Sequence, residues 1–189
     1  GNLVTGFGTD TIIVSGGRIG GNVSVSGGND SIRVTGGEIV GEIRASAGDD
    51  TLLWDGGGII RSAILLGEDN DSATWRHLGE STLALSPKLD GGNGNDLLTF
   101  DGTTSAGSNR YSNWETVNLN NGSRFDLDGT FRLGDSVSGT GVFTVDASST
   151  LTSAQGSITP FTAGQRATLN NAGVIDLGSG NTRTGDTLT

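Results

Sequence analysis

The sequence predicts an all-β fold, a parallel β-solenoid, and three observations lead to this prediction. Similar sequence repeats, here called lines, recur about every twenty residues. Each line alternates apolar and polar residues, and glycine is abundant where the chain must turn between strands. Glycine supplies 34 of the 189 residues, whereas proline supplies only 2. Short alternating segments bounded by glycine, with no helical periodicity, are typical of strands stacked in successive coils.

An aspartate marks the same position in each of the first five lines. These residues are Asp10, Asp30, Asp50, Asp71 and Asp96, spaced by 20, 20, 21 and 25 residues. Two positions later come Ile12, Ile32, Leu52, Ala73 and Leu98, and four positions later come Val14, Val34, Trp54, Trp75 and Phe100. Because successive side chains of a strand point to opposite faces, the residues of these two columns should all point into the interior. Because one line is too short to bury its own apolar face, neighbouring coils must cover it.

A second strand is expected before each turn. Its inward pairs are predicted to be Val23 and Val25, Ile43 and Ala45, Ile64 and Leu66, and Leu83 and Leu85. The extra residues of the longest line are assigned to the segment 89–96. Trp54, Trp75 and Phe100 are expected to form an aromatic stack in the interior.

The coils lengthen in the second half, from about 20 residues to 24–26 residues. Leu119, Val145 and Leu169 are spaced by 26 and 24 residues, and Phe125, Leu151 and Ile175 have the same spacings. The most loop-like passage is 101–113. We therefore divide one continuous solenoid into residues 1–112 and residues 113–189.

Composition excludes several classes of function. The net charge of −10 would repel a phosphate backbone, so no nucleic-acid partner is expected. The absence of cysteine rules out a disulfide framework and thiolate metal sites. No apolar run reaches the length of a membrane span, so direct membrane insertion is not expected. Both ends fall within the repeat pattern, which suggests a section of a longer protein.

Three passages resemble the C-terminal passenger region of type V autotransporters. They are "NWETVNLNNGSRFDLDGTFRLGD" (113–135), "GVFTVDASSTL" (141–151) and "ATLNNAGVIDLGSGNTRTGDTLT" (167–189). The resemblance covers about residues 90–189, whereas residues 1–89 are similar to the family in architecture more than in sequence. It implies a right-handed parallel β-helix on the surface of a Gram-negative bacterium. Such a passenger is anchored in the outer membrane through a barrel outside this chain, or is secreted.

The function expected from this resemblance is that of a non-enzymatic, adhesin-like or host- and immune-interacting rod. Outward residues and the longer loops at 67–95 and 101–113 would form its contact surface. The expected partner is a host cell-surface or matrix protein, a glycan, or an antibody.

One motif suggests an alternative function that depends on calcium. The stretch "GGNGNDLLT" (91–99) matches the nonapeptide pattern of repeats-in-toxin proteins, which bind calcium on stacked turns. Asp30, Asp50, Asp71 and Asp96 are the candidate metal ligands, because calcium prefers carboxylate and carbonyl oxygens. In the competing interpretation these aspartates cap their own turns, exposed to water and without metal. No other cofactor is expected.

Catalysis by this chain is not expected, and no catalytic or cofactor-binding residue is assigned. The "GDSVS" stretch (134–138) contains Ser136, but the single histidine, His77, belongs to a distant coil. Asp126 and Asp128 flank Leu127 and should share an outward face, which leaves a polysaccharide-acting enzyme as a third alternative. The basic candidates for such a site are Arg110, Arg124, Arg132 and Arg166, and the outward aromatic candidates are Tyr111 and Trp114.

Overall fold

The structure is a computed structural model that describes residues 1–153 and 155–176. The end of the predicted second segment, including "GDTLT" (185–189), lies outside the described residues. Among those described, no helix has the length and apolar character needed to cross a membrane.

Short strands make up most of the described chain. In chain order they are β1 (Leu3–Val4), β2 (Thr11–Ile19), β3 (Val23–Ser24), β4 (Ser31–Ile39), β5 (Ile43–Ala47), β6 (Thr51–Asp55), β7 (Ile59–Ile60), β8 (Ile64–Glu68), β9 (Ser72–Arg76), β10 (Leu89–Asn93), β11 (Leu97–Asp101), β12 (Thr104–Ser105), β13 (Tyr111–Ser112), β14 (Thr116–Asn120), β15 (Arg124–Leu127), β16 (Thr130–Leu133), β17 (Val142–Val145), β18 (Thr150–Ser153), β19 (Ser157–Pro160), β20 (Thr168–Asn171) and β21 (Val174–Asp176). The helices are a single turn, α1 (Glu80–Leu83), and a 3-10 turn (Ser108–Arg110).

The strands stack into long parallel faces, which confirms the β-solenoid. The first face runs β2-β4-β6-β9-β11-β14-β17-β20, and the second runs β1-β3-β5-β8-β10-β13. A third face, β12-β15-β18-β21, and the pair β16-β19 belong to the later coils. Every pairing between these named strands is parallel. The coils therefore continue through the passage 101–113 without a break in stacking.

The register of the first five coils is the one that the aspartate spacing predicts. Ile32 pairs with Ile12 and Leu52, and the column continues through Ala73 to Leu98. These side chains and those two positions later are buried. Farther along the chain, Phe125, Leu151 and Ile175 align as expected.

Three details of the predicted register are wrong. Leu83 lies in α1, and Leu89 instead pairs with Ile64 in the second face. The extra residues of the longest coil are therefore accommodated before Leu89, in the segment 77–88. Leu169 pairs with Phe143, whereas Val145 pairs with Asn171. The inserted segment places Leu83 in the core from a helical turn. It leaves the apolar alternation of the strands on either side intact, so alternation does not locate it.

The aromatic core also differs from the predicted stack. Trp54 and Trp75 meet edge to face, with ring centroids 6.0 Å apart. Phe100 contacts Tyr111 and Phe125 in a second cluster. Edge-to-face contact suits the quadrupoles of aromatic rings better than face-to-face stacking.

The corners of the coils bring backbones into close contact, and Gly67 illustrates why glycine is required there. Gly67 has φ of +127°, and a Cβ on it would lie 1.9 Å from the carbonyl oxygen of Ser46. Gly8 has φ of +115° on the first coil, with nothing within 4 Å of its would-be Cβ.

We expect Gly67→Ala to destabilise the fold far more than Gly8→Ala. The Gly8 variant imposes only the strain of positive φ, about 1–2 kcal/mol, whereas the Gly67 variant adds a backbone clash that must push two coils apart. Thermal denaturation of both variants measures the difference. Equal losses of stability would show that close coil contact does not constrain this corner.

Candidate functional site

A ladder of acidic side chains runs along the first face, at the point where each coil enters its strand. At each step, a side-chain oxygen of one residue accepts the backbone N–H of its counterpart in the preceding coil, with N···O distances of 2.7–2.8 Å. We call it the acid ladder, and its members are Asp10, Asp30, Asp50, Asp71, Asp96 and Glu115. A buried N–H without an acceptor is costly, so each carboxylate ties one coil to the previous one.

The acid ladder is buried, which corrects the expectation of exposed turn caps. From Asp30 to Glu115 its members are at most 7 % exposed. Moreover, each aspartate accepts a backbone N–H of the preceding coil and does not cap its own turn. Whether a corner side chain points into the coil or out of it depends on the cross-section of the coil, which local turn propensity does not specify.

The second carboxylate oxygen of each aspartate is unusual. Oδ2 of Asp10, Asp30, Asp50, Asp71 and Asp96 is buried, and no described residue offers it a hydrogen bond. A buried charge without compensating donors is strongly disfavoured. The ladder therefore accumulates carboxylates in a place that does not suit their ionised form.

Proton affinity along the ladder follows from this burial. Loss of solvation raises the pKa of Asp50 to about 6, that of Asp71 to about 8 and that of Asp96 to about 7. In each case the accepted backbone hydrogen bond opposes the shift, and neighbouring acids add to it. Burial likewise raises the pKa of Glu115.

Glu115 is the ladder member that the sequence analysis missed. Oε2 of Glu115 accepts the N–H of Asp96, and Oε1 accepts the hydroxyl of Ser138 at 3.2 Å. The available signal was positional. Glu115 precedes Thr116 as Asp96 precedes Leu97, and Thr116 and Leu97 are paired.

A second, solvent-exposed ladder runs beside the first in the opposite sense. Here the N–H of the later coil donates to the side-chain oxygen of the earlier one, at 2.9–3.1 Å. Its members are Asn29, Asp49, Asn70 and Asn95. At this corner, two adjacent backbone N–H groups of a coil therefore find acceptors in opposite directions. One donates to the preceding coil and the other donates to the following coil.

The predicted calcium ligands, Asp30, Asp50, Asp71 and Asp96, thus lie in one column. In residues 1–153 and 155–176, no three His, Cys, Asp or Glu side chains are grouped so that they could hold a metal ion. Each aspartate already commits Oδ1 to a backbone N–H, whereas calcium takes six to eight oxygens. As arranged, the ladder holds no calcium shell, and calcium binding remains a prediction.

The other candidate residues fall in separate places. His77 has an exposed side chain and lies 3.4 Å from Asp55, between Nδ1 and Oδ1. Ser136 belongs to the loop 134–140 on a later coil. Tyr111 and Trp114, expected on the outside, are buried in the core.

The acids flanking Leu127 do share one surface. Asp126 and Asp128 line a groove on the third face together with Arg124. Asp128 also accepts the backbone N–H groups of Gly107 and Ser108. That carboxylate therefore has a structural role in holding the preceding coil.

Comparison with protein-family models, with curated proteins and with solved structures found no significant match to this chain.

Proposed function

We propose that the chain is a non-enzymatic section of an autotransporter-type passenger, carried on the bacterial surface or secreted, that acts as a stiff rod and presents binding loops. The observation that carries the proposal is continuous coil stacking, in which eight successive strands of the first face pair in parallel. Such a stack resists bending, because each coil is hydrogen-bonded to both neighbours along its faces. The autotransporter-like passages of residues 113–151 supply the link to surface display.

Two side loops suit the role of contact surface, because side-chain bonds anchor residues of each loop. The loop 77–88 carries α1, and Glu80 of α1 pairs with the guanidinium of Arg110, which lies outside the loop. In the loop 134–140, Oδ1 of Asp135 accepts the N–H of Val137 at 2.8 Å. Val137 itself is 83 % exposed. An apolar side chain held outward on a pinned loop is suited to contact with a partner.

Surface display tests this proposal. The chain is fused to a bacterial display anchor in a non-adherent strain, and binding to cultured host cells and matrix proteins is counted. We expect adherence above that of the anchor alone, and loss of adherence when the exposed apolar loop residues Leu85 and Val137 are replaced by serine. A folded, displayed chain that does not increase adherence to any of these surfaces would contradict the proposal.

A second candidate function, a calcium-stabilised secreted domain, is favoured by the unpaired Oδ2 atoms of the acid ladder. Calcium would need those oxygens together with backbone carbonyls or water, since the carboxylates alone are too few.

This candidate predicts that calcium raises the melting temperature by several degrees at a pH of about 8, because only the ionised ladder binds a cation. Melting curves followed by circular dichroism, in calcium, in magnesium and in chelator, make the measurement. The Asp71→Asn variant should abolish the increase. Superimposable curves in calcium and in chelator would exclude a stabilising calcium site.

A further inference from the structure

A polar groove on the third face lies away from the acid ladder. It has a volume of about 510 Å³ and runs along β15, β18 and β21 and the turn after β18. We call it the third-face groove, and its polar lining includes Arg124, Asp126, Asp128, Thr152, Gln155 and Asp176. Its volume is in the range of small-ligand sites.

Three successive coils contribute to the groove in register. Asp126 pairs with Thr152, and Thr152 pairs with Asp176, so these side chains form one column across adjacent strands. Neighbouring strands are about 4.8 Å apart. Within the column the hydroxyl of Thr152 donates to Oδ1 of Asp126, so a ligand would meet the remaining oxygen lone pairs of these groups. They are spaced along the solenoid axis, as an extended ligand with repeating polar units would require.

The backbone at the centre of the groove is already used. β18 pairs with β15 on one side and with β21 on the other. An extended peptide binds a sheet by adding a strand to a free edge, and β18 has none. A ligand here must be recognised through side-chain hydroxyl, amide and carboxylate groups, which matches the hydroxyl groups of a glycan.

Charge narrows the class of glycan. Among the described residues of the lining, Asp126 and Asp128 outnumber the one cation, Arg124, whose guanidinium lies 2.8 Å from Oδ1 of Asp126. The groove therefore carries an excess of negative charge. Uronate-rich or sulfated chains would be repelled, whereas neutral or amine-bearing sugars would not.

We infer that the third-face groove binds a segment of a non-acidic glycan laid along the solenoid axis. This inference rests on the proposed function, since it assigns a partner class to the binding rod. The affinity should be low, with a dissociation constant on the order of 1 mM, because the described residues of the groove lining include no aromatic ring on which a sugar could stack.

Titration calorimetry or ligand-observed NMR on the full chain tests the inference. The probes are tetrasaccharides of β-linked glucose, of glucosamine and of galacturonate, and a tetralysine peptide. We expect binding of the glucose or glucosamine probe and none of the galacturonate probe. Asp126→Ala and, independently, Gln155→Ala should each weaken that binding about tenfold, as expected for the loss of one good hydrogen bond.

Glu42→Ala is the matched control, because Glu42 is likewise a surface acid paired with an arginine two residues away, Arg44. It should leave glycan binding unchanged. The inference would be overturned if neither non-acidic sugar binds, if galacturonate binds equally well, or if tetralysine binds better than the sugars. It would also be overturned if neither groove variant changes the affinity for the sugar. If the displayed chain adheres to host cells while no glycan binds, the groove assignment fails and the proposed function stands.

Discussion

The folded chain should be most stable in acid, near a pH of about 4, and should lose several kcal/mol of unfolding free energy as the pH rises to about 9. The acid ladder is the cause. Burial raises the pKa of Asp50, Asp71 and Asp96 from 3.8 to about 6, about 8 and about 7.

The direction follows from proton binding. Between the unfolded pKa near 3.8 and the raised folded values, the folded chain holds protons that the unfolded chain has released, so stability falls with rising pH. The fall should be complete just above a pH of about 8. Other carboxyls act in the opposite direction at low pH. Hydrogen bonds from Ser149, Asn121 and Ser148 outweigh burial and lower the pKa of Asp146 to about 2, so stability must decline again in strong acid.

Asp71→Asn provides the direct test. The amide oxygen can still accept the N–H of Asp50, but no charge is buried, so the variant should melt at a higher temperature than the parent chain at a pH of about 8. Its pH dependence should also be flatter. The control is Glu68→Gln, an exposed acid whose Oε1 accepts a hydrogen bond from Asn93; it should leave the pH profile unchanged. A parent chain equally stable at a pH of about 5 and of about 9 would contradict the prediction.

Trp54→Ala should be the most damaging of the core substitutions. Trp54 is fully buried and packs edge to face on Trp75. Replacing a buried tryptophan by alanine leaves a cavity and costs about 3–5 kcal/mol, which corresponds to a fall of roughly 10 °C in melting temperature. The control, Ile13→Ala, removes a side chain that is 65 % exposed and should have little effect.

A pair of phenylalanine variants separates packing from hydrogen bonding. Nε1–H of Trp54 donates to the carbonyl of Gly57 at 2.9 Å, whereas Nε1–H of Trp75 is buried and meets no acceptor among the described residues. Both substitutions remove the same volume. Trp54→Phe leaves a carbonyl unpaired, and Trp75→Phe removes an unpaired donor, so Trp54→Phe should be the more destabilising by about 1–2 kcal/mol. The opposite order in chemical denaturation would refute this account.

Repetition made the solenoid and its first five registers predictable. Side chains alternate strictly along a strand, so residues two and four positions after each aspartate had to share a face, and a coil of about twenty residues could bury them only against its neighbours. The same argument aligned Phe125, Leu151 and Ile175. It did not locate the insertion before Leu89, because an insertion between two strands leaves the alternation within each strand unchanged.

The environment of the aspartates was beyond prediction from spacing. Asp50 and Asp71 occur in glycine-rich turns, where such residues ordinarily face water. Their burial, and the inward position of Tyr111 and Trp114, follow from how coils close in cross-section and from which atoms of the next coil lie above them. The periodic sequence thus dictated winding and register, since these depend on local alternation. Burial, proton affinity and the third-face groove arose from contacts between residues that are twenty or more positions apart.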